Sequence, residues 1–282
     1  MGKISIDISE DTYSKLRHQD YELSILLGVD SFAYSLSDES RQVMALREFV
    51  FENTAAFPGA IDNIFQTDKR LHDNFRSVRI GLTGSPFVLV PSRLYNPLEK
   101  KSYLTHLADV PDAAEIMADD LGELGCRGIY SAPASILGFL RQAFPGCRFA
   151  HLSSALLHLW RRLPGAAGQG HCLCMHIQSG EMTLALFSNG ALQLCNTYTF
   201  QSAEDFLYFT LLGLHQQQLD NNNTPVVISG KILPDSAIYK LLERYFRQLQ
   251  FLPKPASISL GTALRQYPEY FYADLFGIIS VV

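Results

Sequence analysis

Two stretches decide the fold: residues 23–51, LSILLGVDSFAYSLSDESRQVMALREFVF, and residues 172–198, CLCMHIQSGEMTLALFSNGALQLCNTY. Each reads as three short strands in succession. In the first, the apolar run Leu23–Val29 meets the turn-prone Asp30-Ser31 and reverses into Phe32–Leu36, where apolar and small polar residues alternate. A third strand, Gln42–Phe51, follows the polar turn Ser37–Arg41. In the second stretch, Cys172–Ile177, Met182–Phe187 and Leu192–Tyr198 are joined by Ser179-Gly180-Glu181 and by Ser188-Asn189-Gly190, the latter holding the strongest hairpin dipeptide.

Outward from each triplet the order helix, strand, helix repeats. After the first, Pro58 opens a helix with Ile61, Ile64, Phe65, Leu71 and Phe75 at helical spacing. Strands are expected at Val78–Leu82, Phe87–Val90, Arg127–Ser131 and Arg148–Leu152, and helices at Pro97–Leu107, Pro133–Phe144 and Ser153–Arg162, the last capped by serine. Ala114–Leu121 has no clear period, but its place in the order asks for a strand. After the second triplet, Ser202 caps a helix with Asp205 three residues on, and this helix runs to about Leu219. Pro225–Gly230 reads as a buried strand. Pro234 then opens a helix whose apolar stripe is Ile238, Leu241, Leu242, Tyr245, Phe246 and Leu249.

The tail holds a strand at Ala256–Ser259, a helix near Gly261–Tyr267 and an apolar end, and Met1–Asp20 reads as a polar lead-in. Between the two halves, LPGAAGQG at 163–170 has the most flexible composition in the chain. Two lobes are therefore expected, residues 1–165 and 166–282.

The 282 residues are 47% hydrophobic and 18% charged, enough to pack two cores. A net charge of −5 with only small basic clusters argues against nucleic acid as a partner, because phosphate backbones are held by grouped Lys and Arg. The N-terminus lacks the apolar core of a secretory signal. No stretch approaches the ~18 apolar residues of a membrane span, so a cytoplasmic protein is expected. The five cysteines form no CxxC pair and read as reduced thiols.

The doubled layout resembles the actin-like ATPase superfamily of sugar kinases, DnaK-type chaperones, and bacterial division and pilus-assembly proteins. The stretches LGVDSFAYSLSD, PFVLVPSRLY and YADLFG more specifically resemble domain-of-unknown-function family 3822. The resemblance implies an α/β duplicated actin-like (ribonuclease H-like) fold, each lobe βββαβαβ around a mixed five-stranded sheet.

Working members of that superfamily bring nucleotide phosphates and a metal ion to the hairpin turns, where glycines admit backbone amides and aspartates orient metal or water. Here the first D-x-G pattern falls on Leu26-Leu27-Gly28: the glycine remains and the acid is leucine. The second, D-x-G-G-G-T, falls on His176-Ile177-Gln178-Ser179-Gly180-Glu181, with one glycine of three and a histidine for the acid. The adenosine-side glycine pair falls on Ser229-Gly230. Carried over this way, a vestigial cleft would comprise Gly28, Asp30, Ser31, Ser179, Gly180, Glu181, Ser229 and Gly230, with no catalytic residue and no cofactor. ATP and Mg²⁺ enter only under the alternative of an unorthodox nucleotide site.

Three further constellations are weaker. His171-Cys172-Leu-Cys174-Met-His176 offers good zinc or copper ligands, but positions 172 to 176 span about 13 Å of strand. His151 beside Ser153-Ser154 reads as a strand residue before a helix cap, not a triad. Tyr267, Tyr270, Phe271 and Tyr272 form a candidate partner surface. The reading favoured is a degenerate actin-like protein that binds another protein or itself.

Overall fold

The computed structural model describes residues 2–51, 57–178 and 180–281. The chain divides into two units, Met1–Ala155 with Ala256–Tyr267 and Leu275–Val282, and Leu156–Pro255 with Pro268–Asp274. These differ from the expected lobes of 1–165 and 166–282. The division falls inside a helix whose residues are apolar nearly all round, not at the glycine-rich stretch. That stretch instead forms a short helix, because Pro164 supplies the first-turn backbone angle.

In chain order the elements up to the division are β1 (Lys3–Ser9), β2 (Glu22–Leu27), β3 (Ser31–Ser37), β4 (Gln42–Val50), α1 (Phe57–Thr67), β5 (Ser77–Leu82), β6 (Phe87–Pro91), α2 (Lys100–Thr105), β7 (Ala114–Leu121), β8 (Cys126–Pro133), α3 (Ala134–Ala143), β9 (Arg148–His151) and α4 (Leu152–Trp160). Then come α5 (Pro164–Ala167), β10 (His171–Gln178), β11 (Glu181–Ser188), β12 (Ala191–Thr199), α6 (Ala203–Gln216), β13 (Val226–Gly230), α7 (Ala237–Tyr245), β14 (Leu249–Phe251), β15 (Ser259–Leu260) and α8 (Ala273–Ser280).

The second unit holds one five-stranded sheet in the order β12-β11-β10-β13-β14. The hairpin pairs are antiparallel, and β13 and β14 add in parallel. The first unit repeats this pattern as β4-β3-β2-β5-β9, with β5 and β9 the parallel additions. The strand-for-strand match is the signature of a duplicated unit. To it the first unit adds β1 and β15, both paired with β4, so its sheet has seven strands rather than five. It also carries a separate three-stranded sheet, β6-β8-β7, built from the segment between β5 and α3.

Each core lies between its sheet and its helices. In the first unit Leu23, Ile25 and Leu27, alternate residues of β2, pack with Ile61 and Ile64 of α1 and Leu137 and Leu140 of α3. In the second, Leu173, Met175 and Ile177 of β10 pack with Phe206 and Leu214 of α6 and Leu242 of α7. Because side chains alternate across a strand, Leu26 and His176 point to the opposite faces of their sheets, and both faces of the central strands are buried.

Local chemistry sets several boundaries. Ser202 accepts the amide of Asp205 at 3.0 Å and Asp205 accepts the amide of Gln201 at 3.1 Å, which starts α6 where expected. Ser236, not Pro234, caps α7, accepting the amide of Tyr239 at 3.2 Å. The stripe that continues past Tyr245 to Leu249 leaves the helix: Leu249 opens β14, because parallel pairing with β13 outweighs the helical period. The polar lead-in is a strand. Ile4, Ile6 and Ile8 alternate with polar residues in β1, which pairs with β4 and is tied to it by Asp7, bonded to Arg47 and to Arg70, the latter at 2.9 Å.

Candidate functional site

The turn between β2 and β3 is closed by its own backbone. The Gly28 amide donates to the Ser31 carbonyl at 2.9 Å, and the Asp30 carbonyl accepts from Phe51 at 2.8 Å. A side chain at Gly28 would begin 2.6 Å from Ser31 Oγ, so the glycine makes room for the serine folded across the turn. Gly28, Asp30 and Ser31 share this one turn, and the Gly28 amide is spent within the hairpin. Leu26 is 2% exposed. It packs beside Gly81 on the adjacent strand β5, where a Cβ would lie 3.4 Å from Leu26 Cδ1 and 2.3 Å from Ile278 Cδ1. The position of the missing acid is a close-packed apolar layer, closed by α8.

The turn between β10 and β11 is looser. Gln178 pairs with Glu181, and the Gly180 carbonyl accepts from Phe200 at 3.1 Å. Gly180 has φ +76°, and a Cβ there would meet nothing within 4 Å. Ser179 lies outside the described residues. Gln178 is half-buried, and its Oε1 is buried with no partner among the described residues.

His176, in the second acid position, is 2% exposed. The parallel register sets it beside Ser229 of β13. Ser229 Oγ donates to the Met175 carbonyl at 3.1 Å and lies 3.1 Å from His176 Nδ1. With its single proton directed at Met175, the serine accepts from Nδ1–H, and the buried Nε2 is left without a partner. Burial pushes the imidazole down to about 3, so it is neutral at physiological pH. Sequence reasoning missed this pair, since only strand pairing puts residue 229 next to residue 176. Gly230 has φ +96°, and a Cβ there would sit 2.0 Å from the Ile177 carbonyl oxygen. Close approach of β13 to β10 accounts for this glycine without any ligand.

The carboxylates that would orient magnesium, which the fold family implies, are missing from these two positions. The two positions that should carry carboxylates hold a buried leucine and a buried neutral histidine.

Elsewhere, Cys172 and Cys174 share one face of β10 with sulfurs 3.7 Å apart. His176 is turned to Ser229. Among the described residues no three His, Cys, Asp or Glu side chains are grouped to hold a metal ion. His151 ends β9, and its Nδ1 accepts the Ser153 amide at 3.1 Å, so the histidine rather than a serine caps the first turn of α4. Its ring stacks on Phe87 at 4.6 Å. Of the terminal aromatic cluster, Tyr272 is buried, and Tyr270 stacks on Phe251 at 3.9 Å, which stacks on Tyr239 at 4.9 Å. These rings serve packing within the second unit, which leaves less apolar surface there than the sequence suggests.

The chain belongs to the family described as protein of unknown function (DUF3822), whose model matches residues 10–249. No curated protein matches it. Among solved structures it is similar to a Bacteroides thetaiotaomicron protein with actin-like ATPase fold and unknown function, at 18% identity and a TM-score of 0.78 over 90% of this chain and 97% of that one. It is also similar to the PilM-PilN type IV pilus biogenesis complex, at 14% identity and a TM-score of 0.56 over 91% of this chain and 97% of that one. The fold is the actin-like ATPase fold. No helix among the described residues is long and apolar enough to cross a membrane.

Proposed function

Taking membership of that family as the premise, we propose that this chain is a catalytically degenerate actin-like protein of the cytoplasm that works as a protein-binding or assembly module. The observation that carries the reading is the burial of Leu26 and His176 where a hydrolase needs two solvated carboxylates. Losing charges oriented toward a metal and phosphate removes several kcal/mol of transition-state stabilisation, on the order of 3 kcal/mol per group.

What remains is a scaffold, and β12 offers a place for a partner. It is the outermost strand of its sheet, nine residues long, and none of the nine is charged. Uncharged, unblunted edges are the ones to which another strand adds. The structural likeness to a pilus-biogenesis complex supports the same direction, since that fold is found there with a second protein.

A second reading, nucleotide binding without hydrolysis, is favoured by the open turn at Gly180. Sedimentation of the intact chain and of Gln193→Lys, together with thermal shifts in ATP and Mg²⁺, separates the two. The module reading expects an associating wild type, a monomeric Gln193→Lys of unchanged stability, and no nucleotide shift. A monomeric wild type stabilised by about 2.7 kcal/mol at a hundred times the dissociation constant for ATP overturns it.

A further inference from the structure

A cavity of about 350 Å³ opens at the amino-terminal ends of β2, β5 and β9 in the first unit, lined by Glu22, Arg76, Ser77, Arg79, Arg148 and the Pro145-Gly146 turn. It lies a strand's length, about 20 Å, from the Gly28 turn at the other end of β2. The two places share no residue.

The lining carries three guanidinium groups against one carboxylate, in a chain whose net charge is −5. Only Arg79 is neutralised, by Glu22 at 2.7 Å. Among the described residues Arg76 and Arg148 have no ion-pair partner. The parallel register places Arg79 directly beside Arg148, so two arginines leave the same face of adjacent strands. Like charges across a strand pair destabilise a sheet unless something of opposite sign stands between them. In addition, Arg79 Nε and Ser77 Oγ are buried polar atoms without a hydrogen-bond partner among the described residues. Native structures leave few such atoms, and each asks for a water or a ligand.

We propose that this cavity is an oxyanion site that takes the phosphate group of a small phosphate monoester. Arginines present forked donors that match phosphate oxygens. Glu22 holds Arg79 through one nitrogen and leaves the remaining donors available. The volume is at the small end for ligand pockets, enough for a phosphate with a short organic group beside Phe75 and Val78. This site is independent of whether the hairpin turns bind anything.

The test is calorimetric titration and thermal unfolding of the intact chain with inorganic phosphate and with glycerol phosphate, against sodium chloride at equal ionic strength. The expected result is saturable binding of both, with a rise in Tm of about 3–5 °C at saturation. In Arg76→Gln/Arg148→Gln that response is lost. Because Arg148 faces Arg79, the double variant in chloride alone is at least as stable as wild type, so the order of stability reverses when phosphate is added. Absence of saturation, or an equal response in the variant, overturns the proposal. Binding of inorganic phosphate with rejection of glycerol phosphate overturns the monoester assignment.

Discussion

The two sheets follow one strand order and end differently. In the first unit the outer strand β4 is covered along its free side by β1 and β15, with Asp7, Arg47 and Arg70 bonding β1 into place. In the second unit, among the described residues, no strand pairs with the outer side of the corresponding strand, β12. The hairpin turns differ in the same sense: the Gly28 turn is filled by Ser31, whereas the space beside Gly180 is open. One copy has been closed with extra segments, and the other keeps an edge and a turn exposed. Interaction is therefore expected from the second copy.

The largest test of this contrast restores the missing acids. Leu26→Asp puts a carboxylate into an apolar layer with no cation, and a loss of about 4 kcal/mol or more is expected in urea unfolding. His176→Asp costs less, because the Ser229 hydroxyl, which donates to the Met175 carbonyl in the wild type, can turn its proton to the new carboxylate. Rescue of either variant by ATP and Mg²⁺ would show that the turns still accept a nucleotide.

Two glycines of the second copy sharpen the same point at intermediate size. Gly230→Ala drives a methyl into the Ile177 carbonyl, with an expected cost of about 3 kcal/mol. Gly180→Ala meets open space, and only its positive φ is penalised, by roughly 1 kcal/mol. Equal costs would mean that the Gly180 turn is as tightly packed as the Gly230 strand end.

The smallest expected effect is in pH. Burial holds His176 and His151 down at about 3, so the unfolded chain takes up their protons first as pH falls below about 6.5. Each therefore contributes stability present above pH 6.5 that is lost toward pH 3, by at most roughly 1.4 kcal/mol per pH unit. Asp119 works the other way. Burial raises it to about 6, against the Tyr130 hydroxyl and the His151 amide that favour its charge, so between about pH 4 and 6 the folded state holds its proton longer. The net expectation is a fall in Tm between pH 6.5 and 4, made shallower in His176→Gln. An unchanged slope in that variant would mean that His176 is not neutral in the fold.

The hairpins, the Asn189-Gly190 turn, the Ser202 cap and the repeat itself were legible in the residues, because they rest on alternation, turn chemistry and capping within a few positions. The replacement of Asp by Leu26 and His176 was legible too, as a departure from a resembling pattern. What those side chains do was not. Residue 176 meets residue 229, and Gly81 meets Ile278, only through parallel pairing and the return of the C-terminal segment.

Local sequence set the elements and their order, since each depends on periods of two or 3.6 and on caps within one turn. Long-range pairing alone selected the covered edge at β4, the bare edge at β12, the addition of β14, and the grouping of Arg79 with Arg148. A free edge and a charge cluster are properties of neighbours in space, and strands that become neighbours here lie from tens to more than two hundred residues apart in the chain.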